Sequence, residues 1–286
     1  MTFKEILAVW PQYILPQHLL SGWMSKLTHC ENRWFKNLFI RLIIKLYGVN
    51  LSEAQSEDLS DYASFNAFFT RELKADVRSL AGAANAIASP ADGAISQLGR
   101  IEAGQIFQAK GHHYTVQDLL GGDAEQAKLF ANGSFATIYL SPKDYHRLHM
   151  PFAGVLKEMV HVPGKLFSVN TVTVGVVPGL FARNERVVCL FDTEIGPMAL
   201  ILVGAIFVNS IETVWHGVVT PPTLAAPRSW QYQQYAPILS KGAEMGRFNM
   251  GSTIIVLFGE NAVQWRDNLQ AGTVVRLGES LGTSTL

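Results

Sequence analysis

From residue 93 onward the chain breaks into short apolar runs: GAISQL, QIFQA, FATIYL, VLKEMVHV, RVVCLFDTE, MALILVGAIFV, STIIVLF and TVVRL. Glycine, proline and polar residues separate them, and most have the length of a strand rather than of a helix. Strand and helix do not alternate repeatedly, so a doubly wound parallel sheet is not expected. RVVCLFDTE and MALILVG, joined by IGP, form a candidate hairpin. Helical patterns are few: SFNAFFTREL at 64–73, YTVQDLLGG and DAEQAKLFANG. The expected fold class is α+β. A mainly antiparallel β catalytic domain spans 51–286, behind an N-terminal segment of another kind.

Residues 1–50 make that segment. Lys4, Lys26, Arg33, Lys36, Arg41 and Lys45 stand against Glu5 and Glu31, and Trp10, Tyr13, Trp23, Trp34 and Tyr47 fall among them. In RWFKNLFIRLIIKLY, the residues Phe35, Leu38, Phe39, Leu42, Ile43 and Leu46 recur at helical spacing, with Ile40 and Ile44 widening the apolar face. Arg33, Asn37, Arg41 and Lys45 follow every four residues on the other side. An ordinary packed helix with a solvated basic face explains the period alone. The excess of basic and aromatic residues and the breadth of the apolar face favour a helix lying on an anionic membrane surface.

Several classes are disfavoured. The formal net charge is zero, which gives no global field for nucleic acid. Cys30 and Cys189 lie far apart and suit a reducing compartment better than a disulfide framework. The first residues do not have the pattern of a signal peptide, and no apolar run reaches the roughly 18 residues of a membrane span. His112 and His113 are adjacent, and His146 and His149 lie in YHRLHM, but no HExxH, cysteine pair or Walker loop accompanies them. No metal is expected. Lys110, Lys143, Lys165 and Lys241 are available to pyridoxal phosphate, but the β-rich pattern suits that cofactor poorly, and none is expected.

The nucleophilic residues are more informative. Gly251, Ser252 and Thr253 stand at the entrance of the apolar run IIVLF. A turn feeding a strand accounts for them without chemistry. Ser252 is equally a candidate nucleophile, His146 and His149 are candidate bases, and Asp92 in SPADGAI could orient one of them. Asp92 also suits a plain Asp-Gly turn. His146 and His149 lie one turn apart if SPKDYHR begins a short helix.

Six stretches in order, SPADGAISQLG, YLSPKDYHRLHMPFAG, VPGKLFSVN, LFARNERVVCLFDTEIGPMA, SIETVW and MGRFNMGSTIIVLF, resemble the bacterial membrane type of phosphatidylserine decarboxylase. Met250 stands where that family most often has leucine, a volume-conserving change. The resemblance implies a proenzyme that cuts itself between Gly251 and Ser252, giving a β chain of residues 1–251 and an α chain of residues 252–286. Ser252 then becomes a pyruvoyl group, which forms a Schiff base with phosphatidylserine and accepts the electrons released with CO₂. It also implies His149 as the base for Ser252 and Asp92 as the residue fixing its tautomer. His146 is a candidate proton donor in decarboxylation, with His149 competing for that role. Phe167, Ser168 and Val169 are candidates for the wall of the substrate site. A homodimer on the cytoplasmic face of the inner membrane is expected from the same resemblance. Two rivals share these residues: a lipid-acting serine hydrolase with an uncut chain, which lacks its usual GxSxG elbow, and a membrane-tethered binding module.

Overall fold

The computed structural model describes residues 3–208, 210–221, 224–250 and 253–285. Its centre is a nine-stranded antiparallel sheet. The Thr253–Phe258 strand runs through the middle, paired with Gly196–Val203 on one side and Ser134–Tyr139 on the other. Arg186–Thr193 and Gly154–Val162 extend the sheet beyond Gly196–Val203, and Gly93–Arg100 extends it beyond Ser134–Tyr139. The Arg186–Thr193 and Gly196–Val203 hairpin falls where the sequence places it.

Continuous apolar runs in these strands have a simple cause. Ile254, Val256 and Phe258 face one hydrophobic core, while Ile255 and Leu257 face another on the opposite side. A central strand covered on both faces has no position for a polar side chain, so the usual alternation disappears. A four-stranded antiparallel sheet lies beside this layer. In it Glu244–Asn249 pairs with Ser210–Thr213 and with Arg147–His149. The fold is α+β, with antiparallel sheets and short N-terminal helices.

Among the described residues five helices precede the strands, α1 (Phe3–Val9), α2 (Pro11–Ile14), α3 (Gln17–Thr28), α4 (Arg33–Tyr47) and, after two short 3-10 turns, α5 (Phe65–Phe69), and short helices at Val116–Leu119, Ala124–Lys128, Thr171–Val174 and Leu180–Arg183 lie among the strands. Asn32 caps α4 by accepting from the Trp34 and Phe35 amides, and Gly48 closes it in the left-handed conformation. The helical period is as expected, but the apolar face is divided. Ile40 is buried, and Phe39, Ile43 and Ile44 pack with it against Phe65, Phe68 and Phe69 of α5. Trp34, Leu38, Leu42 and Leu46 point outward, with Trp34 89% exposed. α5 is shorter than the expected 64–73 helix: the chain leaves it after Phe69, and the Arg71 guanidinium turns in to the carbonyls of Phe68 and Lys143.

Candidate active site

Met250 is the first notable residue of the site. It holds φ at 81°, a left-handed conformation that a bulky residue takes only when its surroundings impose it, at about 1–3 kcal/mol. Its side chain packs toward the α4–α5 cluster. Gly251 and Ser252 lie outside the described residues. Beyond them Thr253 is buried in register with Tyr139 and Val203, its Oγ1 without a hydrogen-bond partner.

An apolar cavity of about 190 Å³ opens against Met250. Ile43 and Tyr47 of α4, Phe65 and Phe69 of α5, Tyr139, and Ala205–Phe207 enclose it. Ser168 and Val169 also line it. Phe167 stands behind that wall: it is buried, its ring packs edge-on against Tyr13 at 4.9 Å, and Asn184 binds both its N–H and its carbonyl.

The two histidines are not a helical pair. His146 and His149 lie on an extended run whose carbonyl at 146 accepts from Phe248 N, while the Cα of His149 faces Glu244. Three extended steps along the chain separate them by roughly 10 Å and send their side chains to opposite faces. Pairing with Glu244–Asn249, remote in sequence, overrides the local helical option.

His146 adjoins Phe69, a wall residue of the Met250 cavity. It is fully buried, its ring 4.0 Å from that of Phe69. Nδ1 donates to the Asp144 carbonyl at 2.8 Å, since a carbonyl can only accept, and Nε2 has no partner. Desolvation by burial pushes its pKa down to about 3, against a smaller upward contribution from the Asp144 bond. His146 is therefore neutral and presents a bare lone pair at Nε2. Before donating a proton there, it must first accept one.

His149 faces a second cavity, which it shares with Arg78, Tyr145 and Lys241. Its Nδ1 donates to the Gly242 carbonyl at 2.8 Å, and its Nε2 meets the Tyr145 hydroxyl at 3.2 Å. Burial lowers its pKa as well. The tautomer expected from Asp92 is thus held by Gly242. The Asp92 carboxylate accepts instead from Arg78 Nε at 2.9 Å and Nη2 at 2.5 Å, and from the Leu277 amide at 2.8 Å. It remains adjacent through the backbone, because the His149 amide donates to Pro90, two residues before Asp92. Sequence reasoning missed Tyr145, Gly242 and Arg78. Tyr145 alone had a local signal, inside YHRLHM. Among the described residues no group of three or more His, Cys, Asp or Glu is arranged to hold a metal.

A left-handed backbone at the entrance to a buried strand, a neutral imidazole and an apolar cavity make up the candidate site of this α+β fold. Comparison with known proteins identifies its family. The family model for phosphatidylserine decarboxylase matches residues 65–283, and a second model, described as PSD, matches residues 7–48. A "Phosphatidylserine decarboxylase proenzyme" from Pseudomonas fluorescens is 60% identical over 98% of both chains. Proteins of the same name are 59% identical in Ectopseudomonas mendocina and 54% in Azotobacter vinelandii, each over 99% of this chain and the whole of the relative. The chain belongs to the phosphatidylserine decarboxylase family.

Proposed function

We propose that this chain is a proenzyme that breaks its own 251–252 bond, converts Ser252 into a pyruvoyl group, and decarboxylates phosphatidylserine to phosphatidylethanolamine. The observation that carries the reading is the left-handed backbone at Met250, immediately before that bond and beside the cavity. Strain stored next to a scissile peptide is relieved when the chain is cut. The unpartnered buried atoms His146 Nε2 and Thr253 Oγ1 fit a polar group at this position. The pyruvoyl group supplies a carbonyl that captures the substrate amine and serves as an electron sink as CO₂ leaves.

In this reading, His146 is neutral at rest, relays a solvent proton that Nε2 holds only transiently, and returns it to the α-carbon. Its low basicity makes that return favourable. Asp92, His149 and Ser252 make up the processing set. Neutral His149, with Nδ1–H tied to Gly242, offers Nε2 as a base, and Asp92 holds Arg78 and the loop carrying Leu277 in place around it. Ser168 and Val169 border the headgroup end of the cavity.

The exposed residues of α2–α4 support association with an anionic membrane. Ile14 is 72% and Leu38 70% exposed, and Trp10, Leu19, Trp23 and Trp34 stand out beside them, interspersed with Lys26, Arg41 and Lys45. Among the described residues no helix is long and apolar enough to cross a membrane. The chain then meets a substrate that hardly leaves the bilayer by lying on it. Denaturing electrophoresis with intact mass tests the chemistry. The wild type should give 1–251 and 252–286, the smaller lighter by one ammonia than its sequence, and Ser252→Ala should stay whole. A single full-length species from a preparation that releases CO₂ sinks the reading.

A further inference from the structure

The helices that present apolar side chains outward grip the cavity wall with their inner side chains. Gln12 Oε1 accepts from the Ser168 amide at 2.8 Å, and Gln12 Nε2 reaches Thr173 Oγ1 at 3.3 Å. Gln17 Oε1 accepts from the Leu166 amide at 2.7 Å, and its Nε2 donates back to the Gln12 carbonyl at 2.7 Å. Ser21 Oγ accepts from the Phe207 amide at 3.2 Å. Leu166–Asn170 has no sheet partner for these amides, and a buried N–H left unpaired costs free energy, so its path depends on the glutamine oxygens. Ser168, Val169, Asn170 and Phe207 are wall residues of the cavity that opens on Met250.

We infer that Gln12 and Gln17 are positioning residues through which lipid contact of α2–α3 sets the substrate wall. This rests on the membrane reading above. In water, the outer faces of α2–α3, with Trp10, Ile14, Leu19 and Trp23, have nothing to pack against, and only the inner contacts hold the helices. Lipid burial of those faces immobilises the helices, and the two carboxamides pass that constraint to the amides at 166 and 168. The wall is thus fully ordered at the surface where the substrate resides. The coupling limits turnover to headgroups presented by a bilayer.

The test uses the full chain with phosphatidylcholine vesicles containing phosphatidylserine. In Gln12→Met/Gln17→Met the side-chain volumes are nearly kept and both acceptors are lost. This variant should process and float with vesicles like the wild type, yet lose about 10-fold or more in kcat/KM. Gln12→Glu keeps an acceptor for Ser168 and should recover most of the activity that Gln12→Met loses. Hydrogen exchange at Leu166 and Ser168 should slow in the wild type when vesicles are added, and should speed up in the double Met variant. Wild-type turnover by that variant, or vesicles that leave those two amides unchanged, overturns the coupling. If the variant does not fold, exchange in the wild type with and without vesicles decides alone. A wild type that floats but releases no CO₂ refutes the assigned activity, and the exchange comparison still decides the coupling. A wild type that does not float refutes the membrane reading and the coupling with it.

Discussion

His146 shows how much one buried side chain can decide. Its folded pKa, near 3, lies below the ordinary value of about 6.5. Between those values the unfolded chain binds a proton that the folded chain refuses. Its contribution to stability is therefore complete above about pH 6.5 and is lost as the pH falls toward 3. Urea midpoints for wild type and His146→Gln should diverge in slope across that window, with the variant less sensitive to acid. A parallel pH dependence in the two proteins would show that His146 is not held neutral by burial. The two histidines should also separate by reaction. His149→Ala is expected to remain uncut, whereas His146→Ala is expected to be cut but to release CO₂ at least about 100-fold more slowly. Electrophoresis and a CO₂ assay read the two outcomes independently. The sequence singled out both histidines as candidates but not their geometry. YHRLHM permits a helical turn, and only pairing with Glu244–Asn249 makes the run extended. The Gly242 carbonyl that orients His149 had no sequence signal, because any residue supplies a carbonyl.

At the scale of elements, α4 was legible almost to the residue. Its period, its Asn32 cap and its Gly48 stop are all local features. Which apolar residues face inward was not legible, because that depends on α5 and the rings of Phe65 and Phe69, brought over it by the intervening chain. The division gives two different mutational outcomes on one helix. Leu42→Ser and Leu46→Ser change half-exposed or exposed positions and should each alter folding stability by no more than about 0.5 kcal/mol. Each should weaken vesicle binding by about 10-fold, because a buried leucine contributes roughly 1.5–3 kcal/mol. Ile40→Ala removes a fully buried side chain and should cost about 2–5 kcal/mol in urea unfolding. Equal effects of the inner and outer substitutions on vesicle binding would contradict the division. Gly48→Ala isolates the cap: open space surrounds the site, so only its φ of 68° resists a side chain, at about 1 kcal/mol.

For the whole molecule, the expected cut has a topological consequence. It falls at the N-terminal end of the Thr253–Phe258 strand, the strand shared by both halves of the central sheet. The sequence showed an apolar run there, but its central position emerges only from pairing with Ser134–Tyr139 and Gly196–Val203. All six residues of the strand are buried, in register on both sides, and Ile254 through Phe258 fill cores on both faces. Burial of five such side chains at about 1.5–3 kcal/mol each gives on the order of 10 kcal/mol, an upper figure for a compact unfolded reference. Residues 263–265, 274–275 and 280–284 add further strand pairs to the 1–251 part or among themselves. The cut fragments should therefore behave as one protein. Gel filtration at micromolar concentration should elute both in a single peak, and guanidinium should separate them. Val256→Asp, which puts a charge between two apolar layers, should abolish folding before any cut occurs. Separation of wild-type fragments without denaturant would mean that this strand does not hold the halves together. The sheet would then have to re-form around a gap at its centre.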